Sequence, residues 1–261
     1  MELQEILIIW FCSLHTIYHM VLFNTSNMIL QDSNTTKIEL KKWYKSSSGI
    51  YFKKILINEL DEIRDLCVGN HTLFCGSPEY KRVFHKNKKS TFFSLDEDIL
   101  ISSSNLSKKL PFEDNSHDVI ILSHGLEYTQ NPYLLMREID RIATDDATII
   151  VLGFNKFSIW SFFKIFLSDA PWNINFLSPY VIKEWFSILE YKSNYNKTFG
   201  FFPYLGKNIT SFMENFKFLH KILRNKFGGV FIMSYKKKVI PLTPQKIIFN
   251  KEYKISHLVK N

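Results

Sequence analysis

Hydrophobic positions in the middle of the chain follow two rhythms. Val119, Ile120, Ile121 and Leu122 form one short, unbroken run, and Thr148, Ile149, Ile150, Val151 and Leu152 form another. Each is too short for a helix, rich in β-branched residues and free of polar alternation, which is how strands buried on both faces of a parallel sheet read. Between them Leu134, Leu135, Ile139 and Ile142 recur at helical spacing, with Arg137, Glu138 and Arg141 on the other face. Asn131 suits the cap of that helix, and Pro132 suits its first turn, where a missing N–H costs nothing. Strand, helix and strand make a βαβ unit. Open parallel sheets bind ligands beyond the carboxyl ends of their strands, so residues 123–128 and 153–155 fall on the ligand side.

The same reading extends to both sides. Residues 24–37, rich in Asn, Ser and Thr, read as a loop. After Trp43 and Tyr44, the spacing of Ile55, Leu56, Ile57, Leu60, Ile63 and Leu66 predicts a helix packed on the sheet. Thr72 to Cys75 predicts a first strand that turns at Gly76 and Ser77, and residues 91–95 predict a second that closes on Asp96, Glu97 and Asp98. Ile99, Leu100 and Ile101 suit a short third strand. Downstream, 157–176 is irregular and strongly aromatic, and 180–189 reads as a helix. Residues 190–203 and 228–235 read as the last strands, with a helix near 208–226 between them.

Composition bounds the organisation. A chain of 261 residues, 46% hydrophobic and 16% aromatic, can bury a full core in one α/β domain, set here at 41–240. Residues 1–40 form an apolar extension and loop, and 241–261 a basic tail. The stretch 6–23 has about the length of a membrane span. Ser13, His15, Thr16 and His19 interrupt it, and Glu2 and Glu5 stand where a signal peptide carries bases. A packed or capping helix is favoured there, with membrane contact left open. His15 and His19 lack the Glu of a His-Glu-x-x-His site, so no metal is expected. Cys12, Cys67 and Cys75 show no disulfide or zinc spacing, which suits a reducing cytoplasm. The net charge of +8 is concentrated after Lys217, where Glu252 is the single acid. That end could meet nucleic acid or simply be solvated, since no nucleic-acid-reading motif accompanies it.

Candidate chemistry enters through a resemblance. Leu110, Pro111 and Phe112, a short acidic turn, Asp118 opening a strand, and Asn131 and Pro132 before a helix with Leu135, Arg137, Glu138 and Arg141 resemble the second half of a class I S-adenosylmethionine-dependent methyltransferase domain, type 11. Gly153, Phe154 and Asn155, followed by Ser158, are similar to a bacterial branch in which this strand ends Gly-Phe-Asn-Pro-x-Ser; Lys156 replaces the proline here. The resemblance implies a three-layer Rossmann-like sandwich whose mostly parallel central sheet has an antiparallel last strand. It implies S-adenosylmethionine as cofactor and a first turn at Cys75, Gly76 and Ser77 beside the cofactor's methionine part; the acceptor cannot be read from these residues, a small molecule being expected first and nucleic acid, on the basic end alone, second. Asp96 would accept from the ribose hydroxyls, Asn105 from the adenine amino group, and Leu106 would cover the adenine ring. Ser123 would border the cofactor, His124 could serve as general base, and Glu127, Tyr128 and Asn155 could touch substrate. Each also has a plain structural reading: Gly76 as a tight turn, three solvated acids at 96–98, His124 bonded to backbone, His117 exposed. The chain departs from the family in its single glycine at the first turn, in Ser104 or Asn105 replacing an adenine-side Asp, and in Asp145 and Asp146 replacing a Pro-Gly turn. Those departures keep open a catalytically inactive scaffold on the same fold.

Overall fold

Asn131 and Pro132 start a helix as their chemistry demands: Asn131 Oδ1 accepts from the Leu134 N–H at 3.2 Å, and the helix runs from Pro132 to Ile142. The computed structural model describes residues 33–67, 69–76, 89–93, 109–129, 131–164, 167, 169–201, 203 and 227–238. In chain order it contains helices α1 (Ser33–Lys45) and α2 (Ser47–Glu62), strands β1 (His71–Gly76), β2 (Lys89–Phe93) and β3 (His117–Ser123), and helices α3 (Gly125–Tyr128) and α4 (Pro132–Ile142). Strand β4 (Ala143–Phe154), helices α5 (Ile159–Phe163) and α6 (Pro179–Ile188), and strands β5 (Tyr191–Phe199) and β6 (Val230–Lys237) follow.

The strands form one sheet in the order β2-β1-β3-β4-β6-β5. β2, β1, β3 and β4 are parallel, and β6 runs antiparallel to both β4 and β5. Helices cover both faces. On one, Leu40 and Tyr44 of α1 and Phe52, Leu56 and Leu60 of α2 pack on Val119, Ile121, Ile150 and Leu152. On the other, Leu135, Met136 and Ile139 of α4 and Ile182 and Phe186 of α6 pack on Ile120, Leu122, Ile149 and Val151. The alternation along β3 and β4 is thus split between two cores, the three-layer α/β arrangement expected.

Three local expectations are corrected. Residues 33–37 belong to α1 rather than a loop, because burial of Leu40 and Tyr44, one turn apart, outweighs the weak helix propensity of Asn34, Thr35 and Thr36. In α4 the core stripe contains Met136, fully buried, while Leu134 is 40% exposed; Met136 shares the face of Ile139 and Leu135, whereas Leu134 lies above Glu138. His117 is buried rather than exposed, packed edge-on against Phe112 at 5.0 Å, and burial lowers its pKa.

The motif residues of this segment fasten it. Asp118 accepts from the backbone N–H groups of Asn70 and His71 at 2.7 and 2.8 Å, pinning the start of β1 to β3. Arg141 donates to the carbonyls of Leu110 and Phe112 and to Glu138 and Asp114, and Glu138 in turn accepts from Leu110 N–H. The segment that leads into β3 is therefore clamped to α4 by charge-assisted bonds. The stretch 6–23, the strand expected at 99–101, the helix expected near 208–226 and the basic tail after residue 240 lie outside the described residues. Among the described residues no helix is long and apolar enough to cross a membrane.

Candidate functional site

The chain leaves β1 for β2 on one side and returns with β3 on the other. At such a reversal the loops after the two strands part, leaving a crevice at their carboxyl ends. The residues that close the two strands, Gly76 and Ser123, are register partners at this point.

Gly76 has φ +105°, and a Cβ there would lie 2.0 Å from the Ser123 carbonyl oxygen. Only glycine permits both the conformation and the approach. Ser123 continues the alternation of Val119 and Ile121, so it shares their face. It is buried, and its Oγ has no hydrogen-bond partner among the described residues. An unmet buried hydroxyl costs roughly 1–3 kcal/mol, which a polar ligand atom would relieve. Cys75 alternates to the opposite core with Leu73 and Leu122, where burial pushes its thiol up to about 12.

Immediately after β3, His124 adopts the left-handed conformation at φ 55° and is fully buried. A non-glycine residue pays for that conformation, and here four contacts hold it. Its N–H donates to the Leu152 carbonyl at 3.0 Å, and its ring stacks on Phe154 at 4.6 Å. Nδ1 lies 3.1 Å from Glu127 Oε2, and Nε2 lies 2.6 Å from the Tyr44 hydroxyl. Glu127 also accepts from the Phe154 N–H through Oε1 at 2.5 Å. With Nδ1–H donating to the carboxylate, Nε2 is the acceptor and the Tyr44 O–H its donor. The result is a buried chain of three side chains, from α3 through the switch-point loop to α1. Such an arrangement fixes one imidazole tautomer and aims a basic nitrogen toward the helix α1 side.

Gly76, Ser123, His124 and Glu127 therefore come together at the tips of β1, β3 and β4. Asn155 lies past the end of β4, buried: its N–H and side-chain amide donate to the carbonyls of Gly229 and Gly228, and its Oδ1 accepts from Phe157 N–H. It joins the end of β4 to the start of β6. Tyr128 closes α3, and its side chain lies outside what is described, as do Ser77, Asp96, Asn105 and Leu106. Tyr44 is the member that sequence reasoning missed. Its signal was present, since Leu40 and Tyr44 have helical spacing ahead of α2, but nothing local shows that this helix folds back over β3.

Comparison with known proteins agrees with the geometry. The type 11 family model, described as a methyltransferase domain, matches residues 60–151. An uncharacterized Escherichia coli protein, YafS, is 31% identical over 98 residues, covering 36% of this chain and 41% of that protein. The chain thus spans about two fifths of the length of that curated relative. A S-adenosylmethionine-dependent methyltransferase from Archaeoglobus fulgidus superposes with a TM-score of 0.50 at 16% identity, over 71% of this chain and 94% of that one. Residues 60–151 match the type 11 methyltransferase-domain family, and the chain that carries them has the class I methyltransferase fold.

Proposed function

We propose that this protein is an S-adenosylmethionine-dependent methyltransferase acting on a small-molecule acceptor. The observation that carries the reading is the pairing of Gly76 with Ser123 at the switch point, one residue before a buried histidine whose Nδ1 meets the Glu127 carboxylate. The residues present fit the cofactor there: a glycine turn without a Cβ, and a buried Ser123 hydroxyl in want of a partner. Cys75, Gly76, Ser77 and Ser123 would hold the methionine part, Asp96 the ribose, and Asn105 and Leu106 the adenine. Bound, the cofactor supplies a methyl group on positively charged sulfur, and that sulfur keeps the bonding electrons as an acceptor lone pair forms the new bond.

The chain's own work is then orientation and one proton. Holding donor and acceptor in line is worth roughly 7–11 kcal/mol in favourable cases. Glu127 holds the Nδ1 proton of His124, so Nε2 takes the acceptor's proton when the acceptor stands where the Tyr44 hydroxyl now does. Glu127 holds the opposite edge of the same ring, Tyr128 would touch the acceptor, and Asn155 ties the end of β4 to the start of β6.

One observation favours a second reading. His124 is fully buried with both ring nitrogens already partnered, which is what a histidine kept for structure alone would show in an inactive scaffold of this fold. Two measurements separate the readings: the thermal shift on adding S-adenosylmethionine, and transfer of a labelled methyl group to a panel of amines, phenols and thiols. A shift with transfer supports the enzyme. No shift at millimolar cofactor overturns it in favour of the scaffold.

A further inference from the structure

Beyond the carboxyl ends of β4 and β5, a cavity of about 320 Å³ opens between α1, α2 and the aromatic segment that follows β4. We propose that it is a recognition site for an organic ammonium carrying one flat aromatic ring, which deepens the reading above by giving the acceptor a chemical class.

Its walls argue for both halves of that ligand. Trp43, Phe52, Trp160 and Trp172 line it. These rings pack on one another with centroids 5.4 Å apart for Phe52 and Trp160, 5.4 Å for Trp160 and Trp172, and 5.7 Å for Trp43 and Phe52. Phe52, Trp160 and Trp172 are buried against one another at tilted or edge-on angles, so Trp43, half-buried, and Tyr51, exposed, offer the accessible aromatic surface of the lining. Such surface suits a flat ring, by stacking, and a cation, by attraction to the negative face of the π-system. Among the described residues Asp169 carries the one formal charge in the lining, and its carboxylate has no cationic partner there. Among the described residues no Lys or Arg lines the cavity. Lys164 of the same segment is not part of the described lining; its amine donates to the Ile174 carbonyl at 2.6 Å and lies over Phe176. The volume falls at the lower end of small-molecule sites and suits a one-ring compound.

Place in the fold supports the link to chemistry. Gly200, directly after β5, forms part of the wall, and a Cβ there would press on Phe52 at 3.3 Å. Trp43 adjoins Tyr44 in α1, with ring centroids 4.9 Å apart, and reaches Phe154, on which His124 stacks, at 6.0 Å. One layer of rings therefore separates the cavity from His124.

Calorimetric titration of the full chain with phenethylamine, 2-phenylethanol and phenylacetate tests the assignment, since the three share a ring and differ in charge. Phenethylamine is expected to bind about tenfold or more tightly than 2-phenylethanol, with phenylacetate weakest. Asp169→Asn, an exposed change that keeps the backbone bond to Trp172, should bring phenethylamine level with 2-phenylethanol. Equal affinities for amine and alcohol in the unaltered chain, tighter phenylacetate binding, no effect of Asp169→Asn, or no binding at millimolar ligand would each overturn it. The titration needs no cofactor. Amine binding without any S-adenosylmethionine binding would leave the site standing and remove the methyltransferase, and the converse would do the reverse.

Discussion

Tyr44→Phe removes one oxygen from the buried chain that joins α1 to the strand tips. The Tyr44 hydroxyl and His124 Nε2 are 2.6 Å apart, with Tyr44 2% and His124 0% exposed. Phenylalanine fills the same space, so the loss is the bond itself together with the cost of an imidazole nitrogen left buried and unmet, about 1–3 kcal/mol. For a chain of this size each kcal/mol corresponds to roughly 2–4 °C in melting temperature. Urea unfolding followed by tryptophan fluorescence should show a lower midpoint with an unchanged m-value. Tyr180→Phe, 66% exposed on α6, is the control and should fall within about 0.5 kcal/mol of the parent. Glu127→Gln sharpens the test. Its amide oxygen can still accept from Phe154 N–H, but its amide nitrogen then faces Nδ1, forcing the other tautomer and turning Nε2 from acceptor into donor. The two changes act on one hydrogen-bond chain, so their effects should depart from additivity by about 0.5 kcal/mol or more. A Tyr44→Phe protein as stable as its parent, or a strictly additive pair, refutes the chain as drawn.

Other consequences follow from single residues. Gly76→Ala places a Cβ 2.0 Å from the Ser123 carbonyl at φ +105°, so it should cost at least about 1–3 kcal/mol and weaken cofactor binding as well, read by urea unfolding and calorimetry. Arg141→Ala removes the clamp on residues 110–114 and should cost about 1.5–3 kcal/mol, with faster amide exchange at the start of β3. Burial and the nearby Lys156 lower the Lys164 pKa from 10.5 to about 8. Between those values the unfolded chain binds the proton that the folded chain has lost, so this residue's contribution to stability rises with pH across that window and is flat below it. Relative to Lys164→Met, the parent should gain up to about 3 kcal/mol between pH 8 and 10.5; a parallel pair of pH profiles would contradict this.

The sequence spoke clearly where local chemistry decides. The buried strands and the Asn131 cap follow from β-branched runs and a capping side chain that act within a few positions, whereas the antiparallel closing pair was legible only through the family resemblance. Glu138 and Arg141 read as a polar face because their partners, the carbonyls of Leu110 and Phe112, are reached only through the βαβ crossover. Met136, three positions before Ile139, shares the face set by Leu135, Ile139 and Ile142, whereas Leu134, two positions earlier, faces away from it, and the run of three apolar residues hid the difference. Tyr44 stayed hidden for a stronger reason: it meets His124 across 80 positions of chain. The aromatic residues after β4 were visible as a group, yet the cavity they make with Trp43 and Phe52 exists only once α1 and α2 lie over β4 and β5.

Co-crystals with S-adenosylhomocysteine test the reading at its root. The ligand's amino-acid portion should lie against the backbone of Gly76 with a polar atom within hydrogen-bond distance of Ser123 Oγ, at the opening between β1 and β3. A ligand bound elsewhere, or crystals grown at saturating ligand in which that opening holds none, would contradict it.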